Sequence, residues 1–234
     1  MGQFIHIFKK EFKSYFISPV AYIVISVFLL ITGWFFFSTF FIYSQAELRN
    51  FFSLLPLVFS FIIPAITMRL FSEEVNVGSY EILMTMPVTF ADVVIGKFLA
   101  AALFAGVMLI PTLSYPLFIC FIGRLDWGPV IGGYTGAILL GASYSAIGLF
   151  ASSLTRNQII AFIIGVAVCF TLTLLDKMLL FFPGSIVTFL EYLGADFHFQ
   201  NISKGIIDSR DIIYFGSVIF TGLSGAGLVM QRKN

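Results

Sequence analysis

The sequence predicts an all-α, polytopic membrane protein with six transmembrane helices, an N-terminal interfacial amphipathic helix and a short polar helix between spans two and three. Three observations carry this. Hydrophobic residues fill 59% of the 234 positions and charged residues only 11%, a balance foreign to a soluble domain. The apolar residues gather into runs near 20–42, 51–70, 90–122, 130–154, 158–180 and 212–230. Each run is long enough to cross about 30 Å of hydrocarbon. Most charged residues fall between the runs, and the whole chain, 1–234, reads as one transmembrane domain.

The first element, within residues 1–19, has two faces. Phe4, Ile5, Phe8, Phe12, Tyr15 and Phe16 fall along one side at helical spacing; His6, Lys9, Lys10, Lys13 and Ser14 fall along the other. A basic face opposite aromatics predicts a helix lying in the membrane interface. It serves either as a simple anchor or as a brace for a partner. The first 18 residues are too polar to form the apolar part of a secretory signal, so span one is expected to act as its own insertion signal. Ser18-Pro19 suits the start of span one, since proline in a first turn gives up no needed N–H.

Span two carries Pro56 and Pro64 and is expected to kink. Thr89 and Asp92 have the spacing of a capping box and place the start of span three near Phe90. That span is longer than a crossing needs, and Pro111 and Pro116 predict a bend or tilt within it. Span four holds Gly132 and Gly136 as a GxxxG pair, prolonged by Gly141, Ser145, Gly148 and Ser152. Such small residues permit close helix contact, and packing within the chain is favoured over a dimer seam. Asp176-Lys177, near the end of span five, is expected to pair with itself or reach the interface. The connection 181–211 contains only short apolar stretches, and its 184–193 part is expected to form a re-entrant or interfacial helix.

Six spans put both termini on one side. Assigning that side to the cytoplasm leaves Lys9, Lys10, Lys13, Arg69, Lys97, Arg156, Arg232 and Lys233 inside. Only Arg49, Arg124, Lys177, Lys204 and Arg210 remain outside, as the positive-inside bias requires.

The segment 71–89 is the one sizeable polar interruption in the first half of the chain. It carries Glu73, Glu74 and Glu81, yet Tyr80, Leu83 and Met84 share one face of a short helix. Gly78 breaks the preceding helix and Pro87 ends the short one. A helix of about two turns is too short to stand alone and needs a partner surface. An anionic helix is poorly suited to an anionic leaflet.

The pattern Arg69…Ser72-Glu73-Glu74…Gly78-Ser79-x-Glu81-x-Leu83-x-Thr85-x-Pro87, followed by Gly96-Lys97, resembles the coupling-helix region of type-2 ABC transporter permeases. The likeness extends to Lys9-Lys10-Glu11-Phe12-Lys13, to 145–150 and to 203–211, and is nearest to the gliding-motility-associated subgroup. It implies that Glu73, Glu74, Gly78, Ser79, Tyr80, Glu81, Leu83 and Met84 meet a separate ATPase. The interfacial helix is read from the residues themselves, through Phe4, Phe8, Lys9, Lys10, Phe12 and Lys13. Relatives often carry basic residues where this chain has Val75, Asn76 and Met86, which shifts the contact toward apolar side chains.

The resemblance further implies a bacterial cytoplasmic (inner) membrane location and a second copy of the permease or a related one. An auxiliary membrane protein with an extracytoplasmic domain is implied too, with ATP and Mg confined to the ATPase subunit.

Chemistry of the chain's own is not expected. Gly96-Lys97 lacks the rest of a phosphate-cradling loop, and His6 and His198 fall outside the spans on opposite sides. No span interior carries a mid-span carboxylate for proton coupling, and no basic run suits nucleic acid. Cys120 and Cys169 lie in apolar runs, which suits neither a disulfide framework nor a zinc site, so no catalytic residue, metal or cofactor is assigned. The leading expectation is an ATP-driven permease subunit. The alternative is a mechanical assembly component that drives an extracytoplasmic partner without exporting a substrate.

Overall fold

The computed structural model describes residues 3–43, 48–79, 88–123, 125–178, 191–206 and 208–232, and the regular elements among them are all helices. Helix α1 (Phe4–Ile17) turns at Ser18-Pro19 into α2 (Val20–Tyr43), where the Ser18 hydroxyl accepts the Val20 N–H at 3.4 Å. Helices α3 (Arg49–Thr67) and α4 (Arg69–Val77) follow each other with a single break at Met68. Helix α5 (Phe90–Leu109) leads through a 3₁₀ turn at Pro111–Leu113 into α6 (Ser114–Ile122). The remaining elements are α7 (Trp127–Leu154), α8 (Gln158–Met178), α9 (Ala195–Ser203) and α10 (Ser209–Arg232). Among the described residues six stretches are long and apolar enough to cross a membrane, which makes this a multi-pass membrane protein.

Helix α7 is the most buried of these and packs against α3, α4, α5, α8, α9 and α10. Its small residues explain how so many neighbours fit. A side chain at Gly132 would strike the Ile202 carbonyl and Gly205; one at Gly136 would crowd Phe199 and Ile202. Gly148 lies against Thr67 and Pro64, and Gly141 against Ala105 and Phe59. The GxxxG surface therefore serves contacts within the chain. By contrast α2, α8 and α10 turn large apolar residues outward, Leu30, Trp34, Ile163 and Phe220 among them, as lipid-facing helices do.

Proline acts differently in spans two and three. Helix α3 stays helical through both Pro56 and Pro64 and pauses only at Met68, earlier than the expected end near Leu70. Thr67, one turn after Pro64, donates its hydroxyl back to the Ile63 carbonyl at 2.9 Å. In span three Pro111 interrupts the α-helix, because the α5 ladder ends at Leu109 and proline brings no N–H to continue it. The Thr89–Asp92 capping box is present: Thr89 Oγ1 accepts the Asp92 N–H at 3.2 Å, and Asp92 Oδ2 accepts the Thr89 N–H at 3.3 Å.

At the end opposite α1 and α4, α9 lies across the bundle against α7, α8, α3 and α10. Most of the expected 184–193 helix falls outside the described residues; α9 begins after it. Lys177 does not pair with Asp176 but reaches Asp196 of α9 at 3.6 Å. Burial raises the Asp196 carboxyl above the usual carboxylate range, and the Lys177 ammonium works against that rise. His198 Nδ1 meets Asp211 Oδ1 at 2.6 Å and Nε2 lies 3.0 Å from the Tyr192 carbonyl, so α9 is pinned to the first turn of α10.

Candidate functional site

Three elements meet at the α1 end, and the closeness of two of them depends on one glycine. A Cβ at Gly96 would lie 2.9 Å from the Phe4 carbonyl and 3.0 Å from Ile7 Cβ. Its absence lets α1 lie directly on the first turns of α5. The next residue, Lys97, is 1% exposed and stands in an otherwise apolar helix. A buried ammonium must be paired and hydrogen-bonded to be tolerable.

Lys97 meets that demand with three partners. Its Nζ lies 3.1 Å from Glu11 Oε1 of α1 and 2.8 Å from Glu74 Oε1 of α4, and it donates to the Leu70 carbonyl at 2.8 Å. An ammonium has three N–H donors, so its capacity is filled. The Phe71 ring lies 5.4 Å from Nζ. Beside this hub, the Arg69 guanidinium sits 5.1 Å from the centre of the buried Tyr15 ring. Burial pushes the Tyr15 phenol well above its usual range, partly offset by Arg69, and among the described residues the hydroxyl has no hydrogen-bond partner. It is a neutral packing group.

Helix α4 is fixed on a third side. A helix leaves its first N–H groups unsatisfied, and the break at Met68 creates such an end inside the fold. The Ser152 hydroxyl of α7 closes it by accepting the Phe71 and Ser72 N–H groups, each at 3.0 Å, and donating to the Met68 carbonyl at 2.7 Å. Ser72 donates its own hydroxyl to the same carbonyl. Thus α4 is bonded to α5 through Lys97 and to α7 through Ser152.

The sequence-predicted residues distribute around this hub. Glu73 is exposed while Glu74 turns inward to Lys97. Gly78 ends α4 in the left-handed conformation at φ 78°, which glycine adopts without a Cβ penalty. Ser79 donates to the Glu74 carbonyl at 3.4 Å. Tyr80, Glu81, Leu83 and Met84 lie outside the described residues. A cavity of about 290 Å³ opens beside α4, lined by Lys10, Glu11, Arg69, Glu73, Glu74 and Lys97 among others.

In α1 the lysines Lys9, Lys10 and Lys13 are exposed, but the expected aromatic face is rotated. The fully buried residues are Ile7 and Tyr15, with Glu11 between them one turn from each; Phe4, Phe8 and Phe12 are half-buried and Ile5 is exposed. A helix resting on protein presents a buried line, a flanking apolar strip and a polar edge. A two-faced reading merges the first two. Accordingly, in a Cys120→Ser background, cysteines at positions 4, 8 and 12 should react slowly with a polar thiol reagent and one at position 10 quickly. Position 7 should be slowest of all; equal rates at 7 and 10 would contradict the packing of α1 on α5.

Sequence reasoning named Glu11, Tyr15, Lys97 and Ser152 but missed that they meet at this junction. One signal was available: a lone lysine eight residues into an apolar helix has to find an anion.

An all-helical bundle with a polar, tightly tied junction at one end and lipid-facing helices around it is a multi-pass membrane protein. The family model for the ABC-2 family transporter protein matches residues 5–224, so the chain belongs to the ABC-2 transporter family. It is a membrane transport subunit of an ABC transporter. No curated protein matches the chain.

Proposed function

We propose that this permease is driven by ATP hydrolysis in a separate ATPase subunit, and that the segment 71–89 receives the motion. The observation that supports this is the Lys97 hub: one buried ammonium binds α1, α4 and α5 at once. A displacement of α4 is passed directly to the start of a membrane span. Tyr80, Leu83 and Met84 supply the buried contacts with the ATPase, and Glu81 lies near the rim or meets a basic residue of the partner. This end faces the cytoplasm, with both termini on that side of a bacterial inner membrane. Two permease copies, or this chain and a related one, complete the membrane part, and ATP with Mg acts in the ATPase. The gliding-type reading, with an auxiliary protein bearing an extracytoplasmic domain, rests on the sequence motifs at 9–13, 69–87 and 203–211.

Apolar side chains buried at such a contact contribute roughly 1.5–3 kcal/mol each, an exposed ion pair about 0–1 kcal/mol. Leu83→Asp should therefore abolish copurification of the ATPase while the permease still inserts. Glu81→Gln should only weaken stimulated hydrolysis. A pull-down with an ATPase assay in native-like lipid reads both. Full recovery of the ATPase with Leu83→Asp would remove the case for coupling through this segment.

A further inference from the structure

At the end of the bundle away from the Lys97 hub, a cavity of about 310 Å³ lies between the first turn of α3, the start of α7 and the end of α9. That volume is at the lower end of small-molecule sites, about 300–1,000 Å³. Its walls hold their positions through backbone contact. Gly132 of α7 lies against the Ile202 carbonyl and Gly205, and Gly205, at φ 86°, lies against Gly128 and Pro129. No side chain separates the end of α9 from the start of α7, so Lys204 is carried to the cavity by the backbone itself.

The cavity's charges are unbalanced. Arg49 and Lys204 line it, and among the described residues neither forms an ion pair or a side-chain hydrogen bond. Lys97 and Lys177, in contrast, each have carboxylate partners. Among the described residues the cavity's one carboxylate, Asp126, is engaged in capping α7, where its Oδ1 accepts the Gly128 N–H at 3.1 Å. The rest of the lining includes Leu125, Pro129 and Val130, an apolar wall beside the two cations.

We propose that this cavity binds a phosphate-bearing anion, with Arg49 and Lys204 as its cationic partners and the Leu125–Pro129–Val130 wall against the attached apolar group. A guanidinium offers a planar fork matched to phosphate oxygens, and an ammonium adds a point charge that tolerates several geometries. The cavity stands where α3 and α7 begin as membrane spans, with the exposed Trp127 beside it, at the level where headgroups and aromatic anchors sit. A phospholipid headgroup and a free phosphate share the recognised chemistry. The site is independent of the ATPase-coupling reading, which concerns the other end of the molecule.

The test uses the purified full chain, with binding read by native mass spectrometry and by the shift in thermal midpoint. The probes are phosphatidylglycerol, phosphatidylcholine and inorganic phosphate. The variants are Arg49→Gln, Lys204→Gln, the charge-preserving Arg49→Lys and, as a control cation at the other end, Arg156→Gln. Phosphatidylglycerol should bind at least tenfold more tightly than phosphatidylcholine. Arg49→Gln and Lys204→Gln should each weaken it about tenfold, Arg49→Lys should retain most of it, and Arg156→Gln should leave it unchanged. If inorganic phosphate instead shows this same dependence and phosphatidylglycerol does not, the site is upheld with a soluble source. Binding of both phosphatidylglycerol and inorganic phosphate that is indifferent to Arg49 and Lys204 overturns the proposal, as does equal retention of the two lipids when inorganic phosphate shows no dependence on these cations. Because both cations are exposed, their glutamine variants should elute as the wild type does, and Arg49→Lys separates loss of charge from loss of fold.

Discussion

Replacing Lys97 by methionine is expected to uncouple the permease and to destabilise it in one step. Methionine keeps the length of the side chain and removes the charge. Glu11 and Glu74 then face each other without the ammonium between them, and the Leu70 carbonyl loses its side-chain donor. Removing one partner from a buried ion pair costs about 3–5 kcal/mol, because the remaining charge stays desolvated. Both carboxylates keep some access to water, at 14% and 17% side-chain exposure, which places the expected loss at the lower end of that range. The thermal midpoint should fall, and ATPase stimulation should fall with it. The triple variant Lys97→Met/Glu11→Gln/Glu74→Gln separates the two effects. It removes every charge of the hub, so stability should return toward wild type. Stimulation of the ATPase should stay low, since α1, α4 and α5 no longer share an ionic tie. Recovery of both properties would make the hub a packing device only, and an unaltered Lys97→Met protein would make it dispensable.

The fold was legible where the information is local. Long uncharged runs announce spans by length alone, and the Thr89–Asp92 spacing fixed the start of α5 because both partners lie within one turn. Pro111 announced the break in span three for the same reason. The hub was not legible, since Glu11 and Lys97 are 86 residues apart and only the packing of α1 over Gly96 brings them together. A sequence shows that Lys97 needs an anion but not which of several carboxylates supplies it. Lys177 teaches the same point: its neighbour Asp176 was the obvious partner, yet α9 presents Asp196 to it. The α1 pattern located the polar edge through Lys9, Lys10 and Lys13. It misplaced the buried line, because apolar residues facing lipid and apolar residues facing protein look alike in sequence. Helix α9 has Ala195, Phe199 and Ile202 buried at helical spacing, but nine residues in a long connection gave no length signal.

The second large effect is expected at Ser152, whose hydroxyl closes the break between α3 and α4. Ser152→Ala removes one oxygen and leaves three backbone groups without that partner: the N–H groups of Phe71 and Ser72 and, in part, the Met68 carbonyl. The carbonyl retains the Ser72 hydroxyl, so the cost lies in the Ser152 acceptor that the Phe71 and Ser72 N–H groups lose. A buried donor left unsatisfied costs about 1–3 kcal/mol in water-soluble proteins, whereas hydrogen bonds measured within membranes average about 0.6 kcal/mol. The lost acceptor gives an expected cost of about 0.6–3 kcal/mol, the range for a single such donor, concentrated in α4 rather than spread over the bundle. The measurement is amide hydrogen exchange. Protection across residues 69–77 should drop sharply in Ser152→Ala, while α7 and α10, held by apolar packing and by the glycines that face their neighbours, keep theirs. Because α4 leads into the segment proposed to meet the ATPase, stimulated hydrolysis should fall even though the contact face at 80–84 is untouched. Ser152→Cys offers a graded comparison, since a thiol is a weaker donor and acceptor at nearly the same volume; its exchange rates should lie between those of alanine and serine. Unchanged protection of 69–77 in the alanine variant would show that α4 holds its place without Ser152, and the tie between α7 and the segment proposed to meet the ATPase would have to be abandoned.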